Sequence, residues 1–295
     1  MTTLNIIGPG RVGRTLGALL TRKGLCAVQD VLSAEFATAE TAVAFIGSGC
    51  AVRKLSDIRP AALWLLTPPD GAIASMASAL AATGKVRAGD VVFHCSGAQA
   101  ASILSPLAGC GAQLASVHPL KSFAEPAKAV ESFSGTWCTV EGDAAALALL
   151  RPLFEQLGAR VAQIDPAGKT LYHAASVLVC NDLTALMESG LRAYEAAGLD
   201  RATAQSMMAP LVRETLDNVF ALGTVRALTG PVARGDAAVV SRQLEALTAL
   251  DPQLAEAYRA LNAIALDLAR AQGGAPAAAL DTVAAALAGT PRKQQ

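Results

Sequence analysis

The chain has 295 residues, 24 basic and 24 acidic side chains, three histidines, 53% hydrophobic residues and 16% charged ones. At about 100–200 residues per domain, this length suggests two domains, each with a sizeable core. Zero net charge provides no field for a polyanion such as a nucleic acid, and so apolar a sequence excludes disorder.

Short apolar runs occur at residues 4–7, 25–32, 61–66, 91–95, 113–117, 136–140 and 160–164. Most are too short for helices and end in Gly, Pro, Ser or Asp, so they are predicted as strands. Alanine-rich helical stretches separate them, which predicts a mostly parallel sheet covered on both faces. Such strands are apolar throughout, so the hydropathy needs no membrane; no run approaches the ~18 residues of a spanning helix. After Asp165-Pro166 the strand signals stop. Residues 168–197, 200–221, 236–250, 252–271 and 276–288 read as helices, punctuated by Gly198, Gly223, Gly230-Pro231, Pro252 and Gly273-Gly274. Residues 291–295 read as a loose tail. The expected fold is α/β: a doubly wound, mostly parallel sheet over residues 1–165, then an all-α domain over residues 166–295.

The opening MTTLNIIGPGR has no basic n-region or cleavable apolar segment. Six cysteines, at 26, 50, 95, 110, 138 and 180, fall at irregular spacings with no C-x-x-C pair. Reduced, mostly buried thiols in a cytoplasmic protein are expected, with no structural zinc or disulfide framework.

The strongest local motif is Gly8-Pro9-Gly10-Arg11-Val12-Gly13, directly after the first strand and opening a helix. There the first glycine allows a tight turn, the second admits a pyrophosphate to the backbone, and the third lets helix and strand pack closely. The unpaired N–H groups and positive end of the helix favour phosphate. An acid at the end of the second strand normally reads the ribose of NAD, and a nearby arginine the 2′-phosphate of NADP. Here the stretch is Gln29-Asp30-Val31-Leu32-Ser33-Ala34-Glu35. Asp30 comes early, Glu35 late, no arginine lies in the stretch, and Ser33 is the expected ribose contact. NADP and NAD both stay open.

Further segments complete a pattern: Thr67-Pro68-Pro69-Asp70-Gly71-Ala72-Ile73, His94-Cys95-Ser96-Gly97-Ala98, His118-Pro119-Leu120-Lys121-Ser122-Phe123, Tyr172-His173-Ala174-Ala175 with Asn181, and Leu228-Thr229-Gly230-Pro231-Val232-Ala233-Arg234-Gly235-Asp236. Together with the glycine loop they span nearly the whole chain. The sequence resembles the Rossmann-like proteins with a C-terminal domain of unknown function 2520, relatives of pyrroline-5-carboxylate reductase, ketopantoate reductase and the 6-phosphogluconate-dehydrogenase-like group. The resemblance implies a dinucleotide-binding Rossmann domain followed by a helical dimerising domain. Relatives often carry Ser-Arg where this chain has Leu32-Ser33; the resemblance implies NADP slightly ahead of NAD, with no arginine in that stretch to hold the 2′-phosphate.

Ligands of open parallel sheets sit outside the carboxyl ends of the strands. Thr67 and Pro68 fall there and would wall the cofactor; Ser96 and Gly97 would let a flat nicotinamide approach. The same residues would serve as ordinary turn and helix starts, and His94 as a core histidine. His118, in the loop with Pro119, is a candidate proton carrier. On the helix from residue 168, Lys169, His173, Ser176, Cys180, Asn181, Thr184 and Glu188 share one side, with Leu171, Leu178, Val179, Leu183 and Leu186 around the rest. A polar stripe can be a solvated face, but small polar groups, one His and one Asn suit a cleft. Lys169 and His173, at i and i+4, could reach one ligand, and the resemblance implies catalytic roles for Lys169 and Asn181. Thr229, Gly230 and Arg234 lie in a glycine-rich break that is either a connector or a substrate contact. Arg234 would clamp a carboxylate there, while Asp236 orients it or caps the next helix.

The expected activity is hydride transfer between NADP or NAD and a small carboxylated carbonyl, hydroxy or imino compound, in a cleft between the domains of a homodimer. The alternative is a non-catalytic dinucleotide-binding or redox-sensing dimer. No metal site, nucleic acid or membrane partner is expected.

Overall fold

In the first half, apolar residues occupy successive strand positions, so each strand has two faces to bury. The computed structural model describes residues 1–289; the expected tail, residues 291–295, lies outside them. The strands and helices run β1 (Thr2–Ile7), α1 (Arg11–Arg22), β2 (Cys26–Leu32), α2 (Phe36–Ile46), β3 (Cys50–Val52), β4 (Leu63–Leu66), α3 (Ile73–Ala82) and β5 (Val91–His94). A 3-10 segment, Ala101–Cys110, leads to β6 (Gln113–Pro119), α4 (Pro126–Glu131), β7 (Trp137–Gly142), α5 (Ala144–Gln156) and β8 (Arg160–Gln163).

These eight strands form one sheet in the order β3-β2-β1-β4-β5-β6-β7-β8. All neighbours are parallel except β6 and β7. The sheet has one strand more than the seven expected, because β3 is only three residues at an edge and carries no readable alternation. Both faces are buried. Leu4, Ile6, Leu63, Leu65 and Phe93 enter one core, and Ile7, Trp64, Leu66 and Val92 the other. On the first face Phe93 meets Phe154 of α5 edge-on, with centroids 6.1 Å apart. Such a pair adds roughly 0.5–1.5 kcal/mol to the burial of its rings. The chain leaves β1 in one direction to β2 and β3 and in the other to β4 and β5. The strand order therefore reverses between β1 and β4, which opens a crevice at their carboxyl ends.

The remaining helices are α6 (Lys169–Ala196), α7 (Arg201–Leu222), α8 (Thr224–Ala227), α9 (Ala237–Leu250), α10 (Pro252–Gln272) and α11 (Ala277–Ala288). The longer ones match the predicted spans closely, because side-chain caps and glycines punctuate them. Asp200, Asp236 and Asp251 accept from the backbone N–H of Thr203, Val239 and Gln253 at the starts of α7, α9 and α10. Gly273 ends α10 with φ 70°. Val240, Leu266, Ala269, Leu280 and Val283 form the core of α9, α10 and α11. The chain divides into two compact units, Met1–Val179 and Cys180–Gln295.

No described helix is long and apolar enough to cross a membrane. All six cysteines are unpaired, but only Cys26 and Cys138 are buried; Cys50 and Cys180 are exposed, against the expectation of mostly buried thiols. Cys50 is exposed because it opens the edge strand β3, which has only one neighbour.

Candidate functional site

The glycine loop is held where β1 ends at the crevice. Gly8 has φ +77°, and a Cβ on it would lie 2.4 Å from the backbone nitrogen of Pro68. Only glycine combines that conformation with so close an approach. The Thr67 hydroxyl donates to the Gly8 carbonyl at 2.8 Å. A Cβ on Gly13 would strike the same hydroxyl at 2.4 Å, so α1 packs hard against the sheet. Gly10 differs: the nearest atom to its Cβ position is the Gly8 carbonyl oxygen at 3.9 Å. The loop is thus rigid behind and open in front, as a phosphate cradle requires.

Two adjoining cavities follow this loop. One, of about 490 Å³, runs from Gly8, Gly10 and Thr67 to Ser33, Thr38 and Arg53. The other, of about 300 Å³, shares Gly10, Thr67, Pro68 and Pro69 and extends past Arg11 and Val12 to Asp70, Cys95 and Ser96. The groove therefore follows the carboxyl ends of β2, β1, β4 and β5. An elongated, largely apolar groove beside the start of α1, which no side chain caps, fits a dinucleotide. Of the residues singled out in the sequence, Gly8, Gly10, Arg11, Val12, Ser33, Thr67, Pro68 and Ser96 line it, with Pro9 and Gly13 in the same loop. Arg53 also lines it, though no arginine follows the second strand in sequence. Asp30 does not line it: its carboxylate is buried and paired with the Arg59 guanidinium at 2.6 Å and the Arg59 backbone N–H at 2.7 Å.

Beyond Ser96 the chain passes into a cluster of imidazoles. The Ser96 hydroxyl donates to Asp70 at 2.7 Å and accepts from the N–H groups of Ala98 and Gln99. His94 is fully buried. Its Nδ1 accepts from the Ser96 N–H at 3.1 Å and its Nε2 reaches the Ala100 carbonyl at 3.2 Å. Both nitrogens are engaged, and burial pushes its pKa down to about 4. His118, at the end of β6, places Nδ1 2.9 Å from the Tyr172 hydroxyl of α6. Burial, reinforced by the charges of Lys169 and His173, pushes His118 down to about 4 as well. Burial raises the Tyr172 pKa, so its phenol keeps its proton. A Cβ on Gly97 would lie 2.7 Å from His173 Nδ1 and 2.8 Å from His118 Nε2. His173 Nδ1 is buried and has no hydrogen-bond partner. Gly97, His118 and His173 thus meet at one point, with Tyr172 behind.

Lys169 is placed differently from the expectation of a group lining a cleft. It is fully buried. Its ammonium donates to Ser116 Oγ at 2.5 Å and to Glu141 Oε1 at 3.3 Å. The same Glu141 oxygen accepts from the Ala101 N–H at 2.9 Å. One buried ion pair therefore ties β6, β7, the segment after Gly97 and the first turn of α6, which carries Tyr172 and His173. Burial lowers the Lys169 pKa, with Glu141 opposing the shift.

Asn181 belongs to the second unit and is exposed, as are Thr229 and Arg234; Gly230 is half-buried. Asp236 caps α9 and so takes the capping role of the two considered for it. The second unit also holds an apolar hollow of about 400 Å³ beside Leu186, Tyr194, Met208, Leu254 and Tyr258. No charged residue lines it.

Sequence reasoning missed Glu141, Ser116 and Arg53, and it named Tyr172 only as the neighbour of His173 in a motif. A lone acid in a β-run, Glu141 beside Val140, was the available signal for the first. The others become neighbours of the site only through the fold.

Residues 2–119 match the Rossmann-like domain, and residues 136–264 match the domain of unknown function DUF2520. No curated protein matches the sequence. Among solved structures, protein TM1727 from Thermotoga maritima is 26% identical, with TM-score 0.73 over 91% of this chain and 99% of that one. BF3122 from Bacteroides fragilis, provisionally assigned as an NADP oxidoreductase, is 23% identical, with TM-score 0.69 over 88% and 96%. An imine reductase from Pseudomonas sp. is 15% identical, with TM-score 0.63 over 96% and 99%. At these last two identities the likeness is one of fold. The chain thus joins a segment that matches the Rossmann-like domain to one that matches DUF2520.

Proposed function

We propose that the protein is a nicotinamide-dinucleotide oxidoreductase acting on a small carboxylated carbonyl, hydroxy or imino compound. The observation that carries this reading is the groove that starts at the open face of Gly10 and ends beside Ser96, one residue from the point where His118 and His173 meet. When bound, the dinucleotide supplies the hydride donor or acceptor.

The chain's own residues supply the rest. The amides at the start of α1 and its dipole hold the pyrophosphate. Thr67 and Pro68 form a rigid wall, because they are locked to Gly8. Reduction of a C=O or C=N group also needs a proton at the heteroatom. With a pKa near 4, His118 is neutral at pH 7 and accepts the Tyr172 proton at Nδ1, which leaves its own proton on Nε2 facing Gly97. His173 offers a free nitrogen to the same point. His118 and His173, backed by Tyr172, handle the proton in this reading; Lys169, sealed behind them, positions their helix. For Asn181, Thr229, Gly230 and Arg234 the proposal is contact with the substrate, resting on chemistry alone. Arg234 makes no ion pair among the described residues and suits a carboxylate.

Gly10→Ala tests the cofactor half. A methyl there meets no protein atom closely but fills the cradle, so the variant should fold and lose NADPH and NADH binding in calorimetry. Unchanged affinity refutes the reading. Screening 2-oxo acids and cyclic imines for loss of NADPH absorbance tests the chemistry. His118→Asn and His173→Asn should then keep cofactor affinity and lose roughly 10²–10⁴ in turnover. Dinucleotide binding without turnover of any such compound would favour the non-catalytic sensor.

A homodimer is part of the proposal. In the first unit Leu171, Leu178 and Val179 are exposed, and in the second Met207, Leu211 and Phe220. Exposed apolar side chains recurring along α6 and along α7 suit burial against a second copy of the chain. Sedimentation should give a dimer, weakened by Phe220→Glu; a monomeric wild type would refute it.

A further inference from the structure

We propose that Arg53, with the hydroxyls of Ser33 and Thr38, forms a binding site for the 2′-phosphate of NADP(H). The inference rests on the dinucleotide reading of the groove and adds which dinucleotide it takes.

Strand register brings these residues together. β2 and β3 are parallel, with Leu32 opposite Val52. The next residue on each strand is Ser33 and Arg53, so a residue invisible in the β2–α2 sequence stands beside that turn. Both side chains line the same cavity as Gly8 and Gly10, and Thr38 from the first turns of α2 joins them. The guanidinium is held in place: its carbon lies 3.7 Å from the centroid of the Phe36 ring, at the start of α2. Stacking of this kind orients a cation without consuming its N–H donors.

Those donors are free. Among the described residues Arg53 has no ion pair and no hydrogen bond, whereas Arg59, at the other end of the same segment, is spent on Asp30. The hydroxyls of Ser33 and Thr38 likewise have no hydrogen-bond partner among the described residues. No carboxylate lines the cavity. A site that reads the unmodified ribose places an acid here to accept from its two hydroxyls. Asp30, the acid nearest in sequence, is instead buried under Arg59. A planar cation with five donors, flanked by two hydroxyls and free of acids, matches a phosphate monoester.

Calorimetry on the full-length protein with NADPH, NADH, adenosine 2′,5′-bisphosphate and adenosine 5′-monophosphate tests this. Wild type should prefer each 2′-phosphorylated ligand over its counterpart. Arg53→Ala should weaken NADPH and the bisphosphate by roughly 10- to 100-fold, the value of a charge-assisted contact, and leave NADH and the monophosphate within about twofold. Arg53→Lys should retain part of the preference, since it keeps the charge and loses the fork. Equal binding of NADH and NADPH by wild type, or an equal loss for both in Arg53→Ala, overturns the 2′-phosphate site alone. Binding of neither dinucleotide by wild type overturns the groove reading itself, and this inference with it.

Discussion

Glu141→Gln is the most searching perturbation of the site's scaffold. The substitution keeps the side chain's shape and removes its charge. Lys169 and Glu141 are both within 2% of complete burial, with Nζ to Oε1 at 3.3 Å. Removing one member of such a pair strands the other charge and costs about 3–5 kcal/mol. Ser116 and the glutamine oxygen still accept from the ammonium, which favours the lower part of that range. For a protein of this size 1 kcal/mol moves Tm by about 2–4 °C, so a drop of about 6–20 °C is expected. The pH dependence follows from the Lys169 shift. Its folded pKa already lies below the ordinary 10.5, and Glu141 is the main group opposing the decrease. Without Glu141 it falls further. Between the folded and unfolded values the unfolded chain binds more protons, so stability rises with pH. The deficit of Glu141→Gln relative to wild type should therefore shrink from pH 7 to pH 9.5. Urea unfolding followed by tryptophan fluorescence measures this, because Trp64 and Trp137 both lie in the first unit and Trp64 is fully buried. A cost below about 1 kcal/mol at pH 7, or a deficit that grows with pH, would refute the assignment of an energetic clamp. The double variant Glu141→Leu/Lys169→Met should recover most of the loss, as apolar replacements of buried pairs commonly do.

Gly8→Ala should cost about 2–5 kcal/mol, combining strain at positive φ with overpacking against Pro68. Gly10→Ala should cost under about 1 kcal/mol, so equal urea midpoints for the two would contradict the loop geometry. His94 and His118 both have folded pKa values near 4, below the ordinary 6.5, so the unfolded state binds more protons between those values and stability falls as pH drops from 6.5 to 4. For fully buried His94 the loss is of order 3 kcal/mol, and an acid limb of the urea midpoint unchanged in His94→Gln would exclude that cause. Gly97→Ala should displace His118 and His173 and lower turnover without weakening dinucleotide binding; wild-type turnover would remove the two rings from the chemistry. Arg234→Ala should raise KM with little change in kcat if Arg234 holds a substrate carboxylate; an unchanged KM returns it to the role of a connector residue.

Most of the architecture was legible because its signals are local. Apolar runs broken by Gly, Pro or Asp marked seven of eight strands, and Gly198, Gly223, Pro252 and Gly273 marked helix ends to within a residue or two. The glycine loop was legible for the same reason: turn, cradle and packing glycine are adjacent in sequence. β3 was missed because three residues do not make a pattern. The antiparallel direction of β7 was not readable, since a run buried on both faces looks the same in either orientation.

The candidate site was half legible. The polar stripe of α6 was visible, but its end was read as facing a cleft, and the structure buries Lys169 completely against Glu141. Periodicity specifies which residues share a face; it does not specify what covers that face. Leu171, Leu178 and Val179, on the apolar remainder of the same helix, are exposed in the single chain.

The sequence by itself determined the class of the protein: a doubly wound sheet, a glycine turn after its first strand and a helical second half. Each follows from propensity, period or backbone conformation within a few residues. Only the tertiary structure decided which side chains meet. Register put Arg53 beside Ser33, the fold put His118 and His173 against Gly97, and burial paired Lys169 with Glu141. Those pairings depend on distances between residues far apart in the chain, which packing sets and local sequence does not encode.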